Sequence, residues 1–554
     1  MKILRVCFCT LSALALGLAL GSCGKVADGD TSLLDSNTNW LMRCTEDQQC
    51  SGALRCYCGI CTKPCGQNSE CGLLDGAECA ESGERLCGEQ AGAGGLCVLA
   101  CTDDANCGSG FNCRSGQCAP KPCATAPNRS WDDVYQSINA DLARSDVEDT
   151  PYLRYFELGN SSGDEDSGGA CGLELSVKRQ ALTKLINSLS IDASVENPTA
   201  VNVNERLYRI DLRDFAWDRP ISIAGQEYAD GWEALIASDP YALSFIGDDA
   251  EDARADTGTL VPVLLVDSFI AAATEPEVYY GFVDIEQGDG NSDRLNEYLE
   301  NELGIVLEEP PAVEAGFVDD GVEFLAQQRE IEVRAGYAWV ISDFGREPGA
   351  LFANPLRPAL GEHELLFTLP NGLNAFAFFG TSGQRLDTWS VTTDAEEADG
   401  RARAPRSNWR RHPQRPILRD EVRDQVDAHT EQFSASDLEL IRRQFPGPEQ
   451  LALRLAGDYY RYTGQALTRG EVNPELPEPI SRAFAEFSGP VTLELAAAEL
   501  LVTRDDLTEN LALLDAPFSR LANGTMERVV FTALYAQAAC VLDAVLENQP
   551  NRCP

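Results

Sequence analysis

The apolar positions of this chain change rhythm several times, and each rhythm predicts a different element. Residues Val6 to Leu20 are almost continuously apolar behind Lys2 and Arg5, and the small-residue stretch Leu20-Gly21-Ser22-Cys23 follows. That run is shorter than the roughly 20 residues needed to span a bilayer, so it reads as a cleaved export signal, residues 1–22. Residues 23–43 carry no periodic apolar pattern and read as a flexible tether. From Trp131 the periods become those of a folded domain. WDDVYQSINADLARS has helical spacing, and LELSVKRQALTKLINSLS sets Leu182, Leu185, Ile186 and Leu189 on one helix face. ERLYRIDLRDFAW alternates as a strand, with Tyr208, Ile210 and Leu212 facing one way and Arg209, Asp211 and Arg213 the other. Opposite charges alternating along that second face predict an internal salt-bridge ladder rather than a ligand site.

A β-hairpin is expected from Gly361. Leu365, Phe367 and Leu369 fall at period two, Pro370-Asn371-Gly372 supplies a turn, and Ala375 to Phe379 returns as an apolar strand. Beyond residue 423 the pattern is helical. Ser436 with Glu439 makes a capping-box pattern, and Pro448 suits a first helical turn. VTLELAAAELLV, TRDDLTENLALL and MERVVFTALYAQAACVLDAVLEN continue the helical period. The expected fold class is α+β: a disulfide-rich module over residues 44–123, a mixed α/β domain over 124–400, a basic connector over 401–423 and a helical domain over 424–554.

Cysteine usage defines the module. CTEDQQCSGALRCYCGIC (Cys44, Cys50, Cys56, Cys61) and CTDDANCGSGFNCRSGQC (Cys101, Cys107, Cys113, Cys118) share the spacing Cys-x5-Cys-x5-Cys-x4-Cys. An exported chain meets oxidising conditions, and a segment with so little core needs bridges to fold. The module has no histidine, which disfavours zinc. Cys7 and Cys9 leave with the signal. Parity among the remaining cysteines pairs Cys123 with Cys171 and Cys540 with Cys553.

Charge narrows the function classes. Acidic residues number 88 against 44 basic, a net charge of −44, and no lysine follows Lys184. Such a surface repels phosphates, which excludes nucleic acid, and suits a protein facing a salty medium. Asp289, Asn291, Asp293 and Glu300 fit positions one, three, five and twelve of a calcium loop, but Arg294 stands where the loop needs glycine. A helix opening at Asn291 or Ser292, with Asp293 stabilising its start, is the favoured reading of the same residues. No GxSxG or HExxH motif occurs, and the imidazoles are only His363, His412 and His429.

Several stretches resemble known families. Leu20-Gly21-Ser22-Cys23 resembles the lipobox of bacterial lipoproteins, which implies acylation of Cys23, and Gly24 after it favours the outer membrane. The cysteine repeat is similar to modules of bacterial surface lipoproteins that act as spacers or protein-contact units. Over roughly residues 131–550, LRYF, ALTKLINSLS, LYRIDLRDFAW, VPVLLVDSF, GYAWVISDFG, LFANPLRP and LPNGL…GQRLD resemble secreted bacterial proteins with a c-type cytochrome domain. The resemblance would align Asn408 to His412 with a Cys-x-x-Cys-His haem site. Asn408 and Arg411 replace both cysteines, and only His412, the would-be iron ligand, remains. Without thiols no thioether forms, so no cofactor is expected.

The connector holds Arg401, Arg403, Arg406, Arg410, Arg411, Arg415, Arg419 and Arg423 just after the acidic run DAEEADG. A surface segment paired to the protein's own carboxylates is favoured over an anion site. Arg410 and Arg411 argue for moving the former haem segment outward, leaving His412 near the surface with nothing to ligate. Trp409 is the candidate to fill space if the segment stays inside. Three functions stand: a non-catalytic envelope lipoprotein, a redox protein holding haem non-covalently through His412, and a carboxylate-pair hydrolase. The first is preferred, with a membrane contact through lipid and an envelope protein or glycan as partner.

Overall fold

The computed structural model describes residues 130–159, most of 175–546, residues 552–553, and short strands between residues 54 and 120. The signal, the tether, Cys23, Cys44, Cys50, Cys101, Cys107, Cys123, Cys171, Asp289 and Asn291 lie outside the described residues. The chain divides into two units, residues 1–98 and 99–554.

In the first unit the strand Gly95–Leu99 lies between Pro64–Cys65 and Ala77–Ala80. Disulfides Cys65–Cys79 and Cys71–Cys97 staple it, and Cys71 and Cys97 are fully buried. These bridges replace the apolar core that so short a segment lacks. The hairpin Arg55–Tyr57/Ile60–Thr62 sets Cys56 opposite Cys61. In the second unit, Phe111–Arg114/Gln117–Pro120 sets Cys113 opposite Cys118 in the same way. The sequence repeat is thus a repeat of local strand pairing, with the third and fourth cysteines of each copy at partnered positions.

The second unit mixes helix and sheet. Helix α1 (Trp131–Leu142) starts in a complete capping box, Ser130 with Asp133. Helix α2 (Leu175–Ser188) buries Leu182, Leu185 and Ile186, and Leu189 just beyond it, as their spacing predicts. A mixed four-stranded sheet runs in the order Val263–Leu265, Leu153–Glu157, Leu207–Asp211, Thr199–Ala200. The expected charged strand is shorter than its alternation suggests, because Asp211 caps a 3-10 turn by accepting from the Arg213 amide. Its charges pair outward instead of along the strand alone: Arg209 donates to Asp141 at 2.9 Å, and Arg213 lies 2.7 Å from Asp149.

Next comes a six-stranded antiparallel meander: β1 (Val313–Asp319), β2 (Val322–Ile331), β3 (Gly336–Asp343), β4 (His363–Thr368), β5 (Asn374–Phe379) and β6 (Arg385–Leu386). The predicted hairpin is β4–β5. Its turn is wider than Pro370-Asn371-Gly372, closing through the Leu373 carbonyl onto the Leu369 amide, with Gly372 at φ 85°. Asn371 is buried and donates to the Asn187 carbonyl at the end of α2, which fixes the hairpin tip against that helix. All residues of β4 and β5 are buried on both faces, so the alternation in β4 marks polarity and not exposure.

The C-terminal region contains α4 (Pro448–Arg469), α5 (Pro479–Ser488) and α6 (Arg528–Val545), after the short α3 (Arg406–Arg411). The expected Ser436 cap sits two residues earlier. Ser434 accepts from the Asp437 amide, because Ser434-x-x-Asp437 offers the same pattern sooner. Asp293 caps the helix Arg294–Glu297, and Glu300 falls in the turn that follows it. Two large cores cross the 400–424 boundaries expected from sequence. One packs α2 and the meander with Leu451, Leu455, Tyr462 and Ile480. The other packs Trp131, Val134 and Ile138 of α1 with Phe531, Tyr535 and Leu542 of α6. The Cys540–Cys553 disulfide closes the chain end.

Helix α4 meets the meander through a buried carboxyl. Asp458 accepts from Gln328 Nε2 at 3.0 Å and from Trp339 Nε1 at 3.1 Å. Burial pushes its carboxyl up to about 6, against the partial relief of those donors and Arg461. A raised folded-state value means this group's contribution is fully present below about 3.8 and is lost as pH rises through about 6. Asp458→Asn keeps an acceptor without the charge. The variant should therefore be as stable as the parent or more so at pH 7, and its stability should vary less between pH 4 and 7, by on the order of 2 kcal/mol. Urea unfolding across that range checks this, and a clearly less stable variant at pH 7 contradicts it.

Candidate functional site

Asn408, the partly buried Arg411 and His412 cluster around Glu364. This glutamate lies on β4 and is fully buried. Helix α3 carries its donors. Asn408 Nδ2 donates to Oε1 at 2.5 Å, Arg411 Nη1 donates to Oε2 at 3.3 Å, and His412 Nε2 lies 3.5 Å from Oε1. Burial by itself would raise this carboxyl, but the Arg411 guanidinium, His412 and Asn408 together hold it down to about 2. It is therefore an anion throughout the physiological range.

The surroundings are packed. The His412 ring stacks on Phe376 at 6.3 Å, and Trp409, almost completely buried, meets Tyr279 edge-on at 5.9 Å. Arg411 lies over the Trp389 ring. Beside them, Lys184 Nζ donates to Glu478 at 2.8 Å. A cleft lined by Lys184, Ser188, Asn374, His412, Pro413 and Tyr462 holds about 10 Å³, room for one water.

The expectation that His412 lies near the surface is incorrect: it is 4% exposed. That expectation assumed unpaired guanidinium groups, and these are paired. Arg406 is buried and grips Glu397 with two donors at 3.1 Å each, reaches Glu275 at 2.9 Å, and covers the Phe484 ring. Arg410 pairs with Asp394 and with Glu397, the latter at 2.9 Å. Arg403 lies 3.6 Å from Glu397. The acidic run thus neutralises the basic run beside it in sequence. Arg419 pairs with Glu421, and Arg423 donates to the carbonyls of Arg442 and Phe445. Arg401 is exposed, and Arg415 lies outside the described residues.

Two further clusters were missed by sequence reasoning. Ser342 Oγ and His363 Nδ1 share a hydrogen bond of 2.7 Å across β3 and β4. Ser342 is 1% exposed, so its hydroxyl cannot meet a substrate, and burial lowers the His363 imidazole. In the other, Arg528 Nη1 donates to Glu499 at 2.6 Å and to Tyr241 Oη at 3.1 Å, and Tyr241 Oη donates to Glu499 at 3.1 Å. The legible signal was Glu499 falling among the buried apolar positions of the helix Leu493–Leu500. His429 is exposed, 3.8 Å from Glu431.

Of the calcium candidates, Asp293 already spends both oxygens locally, on the Asn296 amide and on Asn296 Nδ2. Covalently held haem does not fit residues 408–412 either. No thiol is present there, the histidine faces a carboxylate, and the adjoining cleft has space for a water only. No family model matches the chain, and neither does any curated protein or solved structure.

Glu364→Gln tests the cluster. The depressed folded-state value means Glu364 stabilises the fold above its ordinary value of 4.5, and that contribution is lost as pH falls through about 2. The variant should lose roughly 3–5 kcal/mol at pH 7, because Arg411 loses its buried counter-charge. It should also lack part of the parent's acid sensitivity below pH 4. Denaturant unfolding at pH 7 and pH 3 measures both, and a variant matching the parent at pH 7 refutes the role.

Proposed function

We propose that this protein is a non-catalytic lipoprotein of the cell envelope, anchored through Cys23, most naturally at the outer membrane. In this reading a cysteine-rich, disulfide-stapled module separates the membrane from a mixed domain and a helical, cytochrome-like C-terminal region that no longer attaches haem. The observation that carries it is the Glu364–Asn408–Arg411–His412 cluster. At the residues that the resemblance would align with a haem motif, Asn408 and Arg411 donate to Glu364 and hold α3 against β4, with His412 beside them. The packed setting of Ser342, His363 and His412 supports a structural role for each. The net charge of −44 supports a partner that is neither nucleic acid nor polyanion, and an envelope protein or neutral glycan fits it.

Three measurements test the parts separately. Cys23→Ser should shift the protein out of the membrane fraction or block its processing; unchanged membrane association removes the anchor. Thiol titration of unreduced mature protein should find almost no reactive thiol, and stoichiometric zinc would contradict the disulfide module. Purified protein should lack a Soret band and show no saturable low-spin spectrum with hemin. A tight one-to-one hemin complex abolished by His412→Ala would replace this reading with a redox one.

A further inference from the structure

Lysine is scarce in this chain: the sequence holds six lysines against 38 arginines. Among the described residues of the second unit the lysines are Lys178 and Lys184, both on α2 and both buried. Buried cationic positions elsewhere are arginine, as at Arg154, Arg385, Arg406 and Arg552. Arginine serves a buried ion pair at least as well. What lysine alone adds is a primary amine, a nucleophile once its proton has gone.

Lys178 is placed for that chemistry. Its Nζ donates to Asp267 Oδ2 at 2.6 Å, joining α2 to the helix Val266–Ala273 across 89 residues of sequence. The lysine side chain is 3% exposed and the aspartate 19%, so the pair is closed to bulk water except on the carboxylate side. Burial by itself would lower the Lys178 ammonium, and the Asp267 and Glu486 carboxylates hold it above its usual value. The resting arrangement is therefore an ion pair, one proton transfer along the hydrogen bond from a neutral amine and a neutral acid. A low-dielectric interior narrows the gap between those two forms, because it penalises the charged one. Asp267 also lies in the first turn of a helix with no side-chain cap, where the dipole favours negative charge developing on the carboxyl oxygens. Lys184 is arranged differently. Its partner Glu478 accepts from the Ile480 and Ser481 amides and caps α5 as an anion, and Lys184 Nζ also approaches the Pro413 carbonyl.

We propose that Lys178 and Asp267 are a modification site, at which the chain closes an intramolecular isopeptide bond between α2 and the helix Val266–Ala273. The step needs no oxidant and no added reactant. One proton passes from Nζ to the carboxylate, and the freed nitrogen lone pair attacks Cγ. A second nitrogen proton then moves to the hydroxyl, the carbon–oxygen bond breaks, and one water leaves. An ammonium and a carboxylate have become one neutral amide, so atoms and charge balance. Two charges that are costly to keep in the interior disappear. Holding the two groups in contact makes the condensation unimolecular, and the scarcity of water at the site disfavours the reverse hydrolysis. The product is a covalent tie between two packed helices of the second unit, independent of its disulfides.

The test is a peptide map of the full chain, folded, then denatured, reduced, alkylated and digested with trypsin. Cleavage after Lys178 should be blocked. Residues 155–179 should be recovered joined to residues 255–294, lighter than the two peptides together by one water, and fragmentation should place the link at Lys178 and Asp267. Residues 180–184 should be released normally, because Lys184 keeps a free amine. Lys178→Arg keeps a cation at the position but has no primary amine, so its digest should give residues 255–294 unlinked. The proposal is overturned if the wild type yields the peptide ending at Lys178 and residues 255–294 separately, which leaves an ordinary ion pair. It is overturned as well if Lys178 is joined to a peptide lacking Asp267, or if the joined mass persists in Lys178→Arg. The wild-type map decides the matter even where the variant fails to fold.

Discussion

The second unit depends on the rule that a buried charge must be paired. Acidic residues outnumber basic ones two to one, so buried carboxylates compete for a small supply of cations. Arg411 is spent on Glu364, Arg406 and Arg410 on Glu397, Arg528 on Glu499, Arg552 on Asp543, and Lys184 on Glu478. Several of these pairs join distant parts of the chain; Lys184 and Glu478 are 294 residues apart. Removing one partner from such a pair leaves an uncompensated charge in a low-dielectric interior, which costs far more than the intact pair contributes. The pairs therefore specify which segments meet, while apolar burial supplies the driving force.

The connector shows this at short range. Helix α3 has six residues and no side-chain cap, too short to persist alone. It is held from outside, by Glu364 under Asn408 and Arg411 and by the acidic run 394–399 around Arg406 and Arg410. Trp409 and His412 then fill the interior with their rings.

The first and last described helices of the second unit share a core. Trp131, Val134 and Ile138 share a core with Phe531, Tyr535 and Leu542, and the Arg552–Asp543 pair and the Cys540–Cys553 bond tie the last residues to α6.

The sequence by itself determined the local elements. Period and turn chemistry marked α1, α2, the β4–β5 hairpin and the C-terminal helices, and cysteine spacing marked a repeated unit, because these follow from interactions within a few residues. The sequence also shows directly that no Cys-x-x-Cys-His occurs in it. The pairing of Arg403, Arg406 and Arg410 with the preceding acidic run was also legible, since proximity in sequence nearly guarantees it. Only the tertiary structure decided whether that segment faces water or core. Glu364 gives no sign, in GEHELLF, that it will lie beneath α3, and the burial of His412 hinges on that one carboxylate. Asp458, Glu499 and Ser342 likewise acquire their partners only when distant strands and helices meet, because desolvation is a property of the assembled interior and not of any stretch of chain.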